Sequence, residues 1–133
     1  MKVSELMQTD VQTVRPDAVV NDAVVSLAES HITGLPVVDG GGRLVGVIST
    51  TDILASEEET EDPAARDALF EGTFVRDLMT PRPLTIAPDA TVKEAAQEML
   101  YADVHRLFVM DGDRVIGVLS TTDIVRAVAT GQL

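Results

Sequence analysis

The stretch GVISTTDI at residues 46–53 returns as GVLSTTDI at residues 117–124. Working outward, the agreement continues in order: Leu35, Val37, Asp39 and Gly40 match Leu107, Val109, Asp111 and Gly112; Thr13, Pro16 and Asp17 match Thr85, Pro88 and Asp89; Val3, Leu6 and Met7 match Val75, Leu78 and Met79. A long period that occurs only twice indicates a pseudo-symmetric pair, since solenoids need three or more short repeats. We therefore expect one copy over residues 1–56, a linker over 57–73 and a second copy over 74–133.

Each copy contains an amphipathic helix after a Pro-Asp dipeptide. Apolar residues recur at i, i+3, i+4, i+7 and i+8 over residues 20–28 and again over 92–100, which is one stripe of a helix. Thr91 and Glu94 have the spacing of a capping box, so they fix the start of the second of these helices. The counterpart of Thr91 in the first copy is Val19, which has no hydroxyl.

Short apolar runs and turn residues follow each helix. The runs span residues 35–38, 44–48, 107–110 and 115–119, and Gly and Asp between them predict two hairpins. A further helix is expected to begin near Thr51 and near Thr122, because Ser and Thr before an apolar run are N-cap residues. The predicted order of elements in each copy is a short opening strand, a helix, two strands and a second helix. The acidic linker contains one more helical stretch, at 64–70.

Charge and composition exclude several classes of protein. The net charge is −12 and only two residues are lysine, so phosphate backbones and anionic membranes are poor partners. The acidity fits a high-salt cytoplasm or an ordinary acidic protein. Without cysteine there is no disulfide, thiolate metal site or cysteine nucleophile. Neither a signal peptide nor a run of roughly 18 apolar residues is present, which predicts a cytoplasmic protein that does not insert into membranes.

With these motifs in place, the chain resembles a tandem pair of cystathionine-β-synthase (CBS) domains, a Bateman module. Both copies have an opening Leu-Met, then Pro-Asp with its helix, and a closing Gly-hydrophobic-hydrophobic-Ser-x-x-Asp-hydrophobic segment. The resemblance covers all but the linker. It implies an α/β (α+β) fold in which two β-α-β-β-α repeats pack sheet against sheet. Phe108 departs from the family, which usually has proline there, and this affects the expected shape of one pocket.

The repeated Ser-Thr-Thr-Asp segments are candidates for ligand binding. They stand where a strand passes into a helix, and helix starts expose backbone N–H groups that favour phosphate. An aspartate there can accept both hydrogens of a ribose diol, the role that the resemblance implies for Asp52 and Asp123. The candidates are Ser49, Thr50, Thr51, Asp52, Ser120, Thr121, Thr122 and Asp123. The alternative is that Thr51 and Thr122 only cap helices and the aspartates only stabilise the first turn.

The two copies differ where a phosphate is expected. The resemblance implies that residues before the central strand of one copy reach the ligand held by the aspartate of the other. The second copy has His105 and Arg106 there, and the first has Thr33 and Gly34. A guanidinium binds phosphate in a bidentate manner, so we expect tighter binding of more phosphorylated nucleotides at Asp52. At Asp123 we expect weak binding or a less charged adenosyl ligand. Arg106 as a surface residue paired with an acid is the alternative.

Some candidates have plain structural alternatives. The set of binding candidates is completed by Leu35, Pro36, Leu107 and Thr80. His31 is expected to end a helix and no metal site is predicted. Gly46 and Gly117 lie inside strands, where glycine costs stability unless something approaches closely. Two explanations for such a close approach are an adenine ring that lies against the backbone and tight packing of the two sheets.

Three classes of function remain. A regulatory module would bind an adenosine-containing effector, namely AMP, ADP or ATP, with S-adenosylmethionine or NAD as alternatives, require no cofactor and act on an enzyme or transporter. A constitutive scaffold would instead form a homodimer through its amphipathic helices and have vestigial pockets. An enzyme is the least favoured class, because no nucleophile motif, Walker loop or carboxylate pair is present.

Overall fold

The computed structural model describes residues 1–58 and 62–133, so Glu59 and Glu61 of the predicted linker lie outside the described residues. Its elements are α1 (Val3–Leu6), α2 (Val20–Ser30), β1 (Gly34–Val38), β2 (Leu44–Ser49), α3 (Thr50–Glu58), α4 (Pro63–Gly72), α5 (Val75–Leu78), β3 (Thr80–Pro81), β4 (Thr85–Ile86), α6 (Val92–Ala102), β5 (Arg106–Asp111), β6 (Arg114–Ser120) and α7 (Thr121–Ala129). This mixture of helices and two three-stranded sheets confirms the expected fold class.

The chain forms two compact units. The central unit is continuous and spans residues 12–83, whereas the terminal unit combines residues 1–11 with residues 84–133. The repeat boundaries expected at residues 56 and 74 describe the period of the sequence and stay a prediction. The units show that the opening segment of each copy folds with the hairpin of the other copy.

The central unit is built on the sheet β1-β2-β3, in which neighbouring strands are antiparallel. Its third strand, β3, comes from the opening of the second copy, and Val14 from the first copy adds a parallel bridge to Val37. Helices α2 and α3 cover the aliphatic core. The core residues are Val14, Val20, Ala23, Leu27, Leu35, Val37, Ile48, Ile53 and Val75.

The terminal unit repeats this plan with the sheet β4-β5-β6. Strand β4 is parallel to β5, β5 and β6 form the predicted antiparallel hairpin, and Gln8 makes an antiparallel bridge to Val118. The first residues of the chain are tied down by Val3 N–H, which donates to Ala90 C=O at 2.8 Å. The core residues are Val3, Ala95, Met99, Leu107, Val109 and Leu119.

The opening of each copy differs in detail from the single short strand that we expected. In the second copy, the four-residue helix α5 precedes two separate pairings, β3 in the central unit and β4 in the terminal unit. In the first copy, the helix α1 precedes isolated bridges at Gln8 and Val14. An opening segment that passes from one unit to the other cannot keep one continuous ladder, so its strand is divided.

The longer helices agree closely with the periodicity. Thr91 caps α6, since its hydroxyl accepts a hydrogen bond from Glu94 N–H at 3.0 Å, while Val19 before α2 makes no side-chain cap. His31 ends α2, as predicted, and the structure shows it in the left-handed conformation with φ of 53°. Helix α4 includes the helical stretch expected at residues 64–70.

The exchange of proline for phenylalanine between the copies has a structural reason. Phe108 N–H donates to Leu84 C=O at 3.2 Å, next to the parallel pairing of β4 with β5. Pro36 has no N–H to donate. In the first copy, Val14 donates its N–H to Pro36 C=O at 3.1 Å, and the Val14 C=O accepts a hydrogen bond from Val38 N–H at 2.9 Å. This pairing needs no N–H from residue 36, so proline is accommodated there.

Candidate functional site

The carboxylate of Asp52 is held at the start of α3 in the central unit. Its Oδ2 accepts hydrogen bonds from Ser49 N–H and from the Ser49 hydroxyl, each at 2.9 Å. Its Oδ1 accepts a longer bond of 3.2 Å from the hydroxyl of Thr80, which is exposed on β3. One oxygen is thus fixed by the helix start and the other meets a rotatable hydroxyl. Thr80 and the Ser49–Asp52 segment are sequence candidates that the structure brings together.

The carboxylate of Asp123 has the same anchor in the terminal unit but different neighbours. Its Oδ2 accepts Ser120 N–H at 2.9 Å. Its Oδ1 accepts the side-chain amide of Gln8 at 3.1 Å and lies 3.5 Å from Nη1 of Arg126. The residue is 6% exposed. The two aspartates therefore share a position at a helix start and differ in what contacts Oδ1.

The helix caps are the serines and not the threonines that we expected. Helices α3 and α7 begin at Thr50 and Thr121, and the hydroxyls of Ser49 and Ser120 accept the N–H of Asp52 and Asp123, each at 3.1 Å. An N-cap hydroxyl bonds to the third residue of its helix, so the serine at the strand end is in register. Capping by Thr51 and Thr122 was wrong.

Backbone donors at these helix starts are partly used. Thr50 N–H donates to Thr33 C=O, and Thr121 N–H donates to His105 C=O, each at 2.9 Å. Since the N–H of each aspartate is also bonded, fewer amides remain for phosphate than an open helix start would offer. The hydroxyls of the threonines stay candidates.

The remaining candidates divide between core and surface. Gly34 is paired with Ser49, and Arg106 with Ser120, so each diverged dipeptide lies beside the helix start of its own copy. The side chains of Leu35 and Leu107 belong to the cores, and Pro36 is buried. Asp52 and Arg106 belong to different units. Their joint action on one ligand stays a prediction from the resemblance.

The strand glycines are explained by a neighbour that sequence reasoning did not name. A Cβ on Gly46 would lie 2.7 Å from Sδ of Met79 and 3.0 Å from Thr80 C=O. A Cβ on Gly117 would meet Met7 and Gln8 in the same way, at 2.5 Å and 3.0 Å. Because these two glycines have no Cβ, the methionine of each opening Leu-Met segment can lie directly against the strand.

Gln8, which contacts the candidate residue Asp123, was missed in the sequence analysis. The signal was present, because Gln8 occupies the position in the first copy that Thr80 occupies in the second, directly after Met. Among the described residues, no group of three or more His, Asp or Glu could hold a metal ion. Likewise, none of the helices in the described ranges is long and apolar enough to cross a bilayer.

Comparisons with known proteins agree with this architecture. The family described as CBS domain matches residues 3–59 and 75–130. CBSX2, a chloroplastic CBS domain-containing protein of Arabidopsis thaliana, is 34% identical over 89% of this chain. A crystal structure of CBSX2 in complex with AMP has a TM-score of 0.82 and 33% identity, covering 99% of this chain and 98% of that one.

Other relatives differ in length and in what surrounds the matching region. The chain spans 63% of CBSX1 and 58% of CBSX2. It is also 35% identical to inosine-5'-monophosphate dehydrogenase of Methanocaldococcus jannaschii, over 94% of this chain but 23% of that enzyme. The CBS domain pair of protein MJ0100, at 24% identity and a TM-score of 0.83, shares the fold.

Proposed function

The chain belongs to the CBS domain family, with two copies in tandem, and we propose that it is a regulatory module that binds an adenosine-containing ligand. The observation that carries this proposal is the Asp52 carboxylate. Its Oδ2 is fixed by Ser49, while Oδ1 meets only the exposed hydroxyl of Thr80 among the described residues. A fixed carboxylate with one accessible oxygen suits a ribose diol, because it accepts without first having to be ordered.

The AMP complex of CBSX2 supports this choice of ligand. The chain in that crystal structure is 33% identical to this one, and 98% of it is covered by the match. We propose AMP, ADP or ATP as the effector, with S-adenosylmethionine or NAD as alternatives. In this proposal the ligand is an effector and no cofactor is required. We do not propose an enzymatic activity for the chain. The cytoplasmic location stays a prediction.

The effector would act by favouring one conformation of the module over another. A ligand can shift such an equilibrium only by its difference in affinity for the two conformations. An enzyme or a transporter would then respond to that shift. The dehydrogenase whose sequence contains the matching region supports an enzyme as the regulated partner.

Isothermal titration calorimetry with AMP, ADP, ATP, NAD and S-adenosylmethionine tests the proposal. We expect binding of at least one ligand and a loss of about tenfold or more in affinity for Asp52→Asn, because hydrogen bonds to a charged acceptor are lost. Asp10→Asn, an exposed aspartate in the opening segment, is the control for the change in charge. Binding of none of the ligands, or equal binding by Asp52→Asn, would contradict the proposal.

The role of Arg106 needs its own titration. The resemblance implies that the guanidinium of Arg106 binds phosphate, so Arg106→Ala should weaken the binding of ATP more than the binding of adenosine. Arg114→Ala, a change of the same kind in an exposed residue of β6, is the control. Equal weakening of ATP and adenosine would remove Arg106 from the phosphate site and leave the binding of adenosine standing.

A homodimeric scaffold is the second candidate, and exposed apolar side chains favour it. On α6, Leu100 is 83% exposed and Tyr101 96% exposed, and on α7 Val125 and Val128 are exposed as well. In the central unit, α2 and α3 border an apolar groove of about 360 Å³. Apolar patches of this kind mark association surfaces.

Light scattering tests the dimer. We expect a dimer mass for the wild type and a shift toward the monomer for Leu100→Asp, while Gln12→Asp, at an exposed residue outside these helices, should stay dimeric. A wild-type monomer at micromolar concentration would rule the dimer out and leave the proposal on ligand binding untouched.

A further inference from the structure

The two aspartate sites are equivalent in sequence and unequal in their surroundings. In the central unit the residue that reaches Oδ1 of Asp52 is Thr80, at 3.2 Å. In the terminal unit the residue that reaches Oδ1 of Asp123 is Gln8, at 3.1 Å. Both come from the opening segment, directly after Met. The difference between the sites therefore begins with one side chain at one matched position.

Gln8 is held in place by the backbone and not only by its side chain. Its N–H donates to Val118 C=O at 2.9 Å and its C=O accepts Val118 N–H at 3.0 Å. Thr80 has the matching place, paired with Val47 on β2. Since the backbones at both positions are fixed by their sheets, replacing the side chain changes the contact with the carboxylate without moving the strand.

The chemistry of the two contacts differs. A hydroxyl both donates and accepts and can turn away from Asp52 to meet a ligand oxygen. The amide nitrogen of Gln8 only donates, and turning its carbonyl toward Asp123 would place two acceptors face to face. Nη1 of Arg126 lies 3.5 Å from the same oxygen and adds a positive charge. The matched residue of the first copy is Ala55, which has no charge. Asp123 is therefore bound to donors of the chain itself.

We infer that Gln8, together with Arg126, occupies the carboxylate of Asp123 in place of a ribose diol, so that Gln8 determines which aspartate binds ligand first. This inference rests on the proposed function, because it assigns the order of binding at the two ribose aspartates. An adenosine-containing ligand binds at Asp52 with only a hydroxyl to turn aside. At Asp123 it must displace an amide and compete with a guanidinium.

Calorimetric titration of AMP into the wild type and a set of variants tests the inference. The wild type should bind one AMP with a signal that Asp52→Asn removes. Gln8→Thr should add a second binding event that Asp123→Asn removes, and the reciprocal Thr80→Gln should weaken binding at Asp52 about tenfold, since an amide bonded to a charged acceptor must be displaced. Gln132→Thr, the same exchange at an exposed residue of the terminal unit, should behave as the wild type.

A measurement without ligand separates this inference from the proposed function. In a heteronuclear NMR spectrum, the side-chain amide of Gln8 should shift on Asp123→Asn, and the amide of Gln132 should not. An unshifted Gln8 amide, or Gln8→Thr with the stoichiometry and affinity of the wild type, would overturn the inference. If the wild type binds no AMP but Gln8→Thr does, the inference is supported and the binding of AMP at Asp52 is not. If neither protein binds AMP, the inference is overturned, whereas the proposed function falls only if none of the other ligands binds either.

Discussion

Single residues fix the contact between each opening segment and its sheet. Gly46 and Gly117 carry no side chain where Met79 and Met7 cross the strand. The sequence contains all four residues at matched positions, yet we expected adenine or a second sheet as the neighbour. Gly117 and Met7 stand at opposite ends of the chain, and no local periodicity encodes a contact over that separation.

Gly46→Ala should lower the free energy of unfolding by about 1–3 kcal/mol, the usual cost of forcing extra volume into a packed site. The added Cβ would lie 3.0 Å from a backbone carbonyl, which cannot move aside as the end of Met79 can. Urea denaturation gives the value. Gly72→Ala is the control, since a Cβ there meets nothing within 4 Å. Equal stability of Gly46→Ala and the wild type would show that the strand has room.

The serine caps support a second residue-scale prediction. Ser120→Ala removes the acceptor for Asp123 N–H and should cost about 0.5–2 kcal/mol of stability without ligand. Thr122→Ala should change stability by less than about 0.5 kcal/mol, because Thr122 is exposed and lies within the first turn. Thermal unfolding of both variants checks this. A larger loss for Thr122→Ala would restore the cap that we first assigned to that residue.

At the scale of elements, the amphipathic helices and the two hairpins follow from the periods of 3.6 and 2 residues. The turns inside the hairpins do not repeat, since the first copy has an additional glycine. Around it, Asp39 Oδ1 accepts Gly41 N–H at 2.9 Å and Arg43 N–H at 3.0 Å. A carboxylate that accepts two amides in this way orders the turn between β1 and β2.

The hairpin predicts a pH dependence. The N–H of Arg43 above all, with the N–H of Gly41 and the charges of Arg43 and Arg15, lowers the pKa of Asp39 below 3.8, against a smaller opposing effect of desolvation. A carboxyl with a lowered folded-state pKa stabilises the fold above its unfolded value, and this stabilisation is lost as the pH falls through the folded value.

Asp39→Ala should therefore unfold at a lower urea concentration than the wild type at pH 7. The difference should narrow below about pH 4, where the carboxyl begins to be protonated. Asp111→Ala removes the matched aspartate of the second hairpin, whose carboxylate makes no hydrogen bond to the described residues, and should change the midpoint less at pH 7. A constant difference for Asp39→Ala between pH 7 and pH 3 would contradict the assignment.

At the scale of the whole molecule, the duplication predicts two copies but not which segments fold together. The central unit contains Val75, fully buried in its core, whose N–H donates to Ala18 C=O at 2.8 Å. Val75 belongs to the second copy. The terminal unit uses Val3 from the first copy in the same way. A repeat identifies equivalent residues, whereas the pairing of segments depends on which partner each one meets.

Two fragments of equal length distinguish the sequence repeat from the compact unit. Fragment 12–83 keeps the whole central unit, including Val75, the strand β3 and the hydrogen bond of 2.8 Å from Val20 N–H to Thr73 C=O. Fragment 1–72 loses these contacts, and its first 11 residues have no partners because those belong to residues 84–133. We expect fragment 12–83 to show more secondary structure by circular dichroism and a higher urea midpoint, because its buried residues keep their neighbours. If fragment 1–72 were equally or more stable, the sequence repeat would be the folding unit. The contacts between each opening segment and the hairpin of the other copy would then not be needed for the stability of one copy.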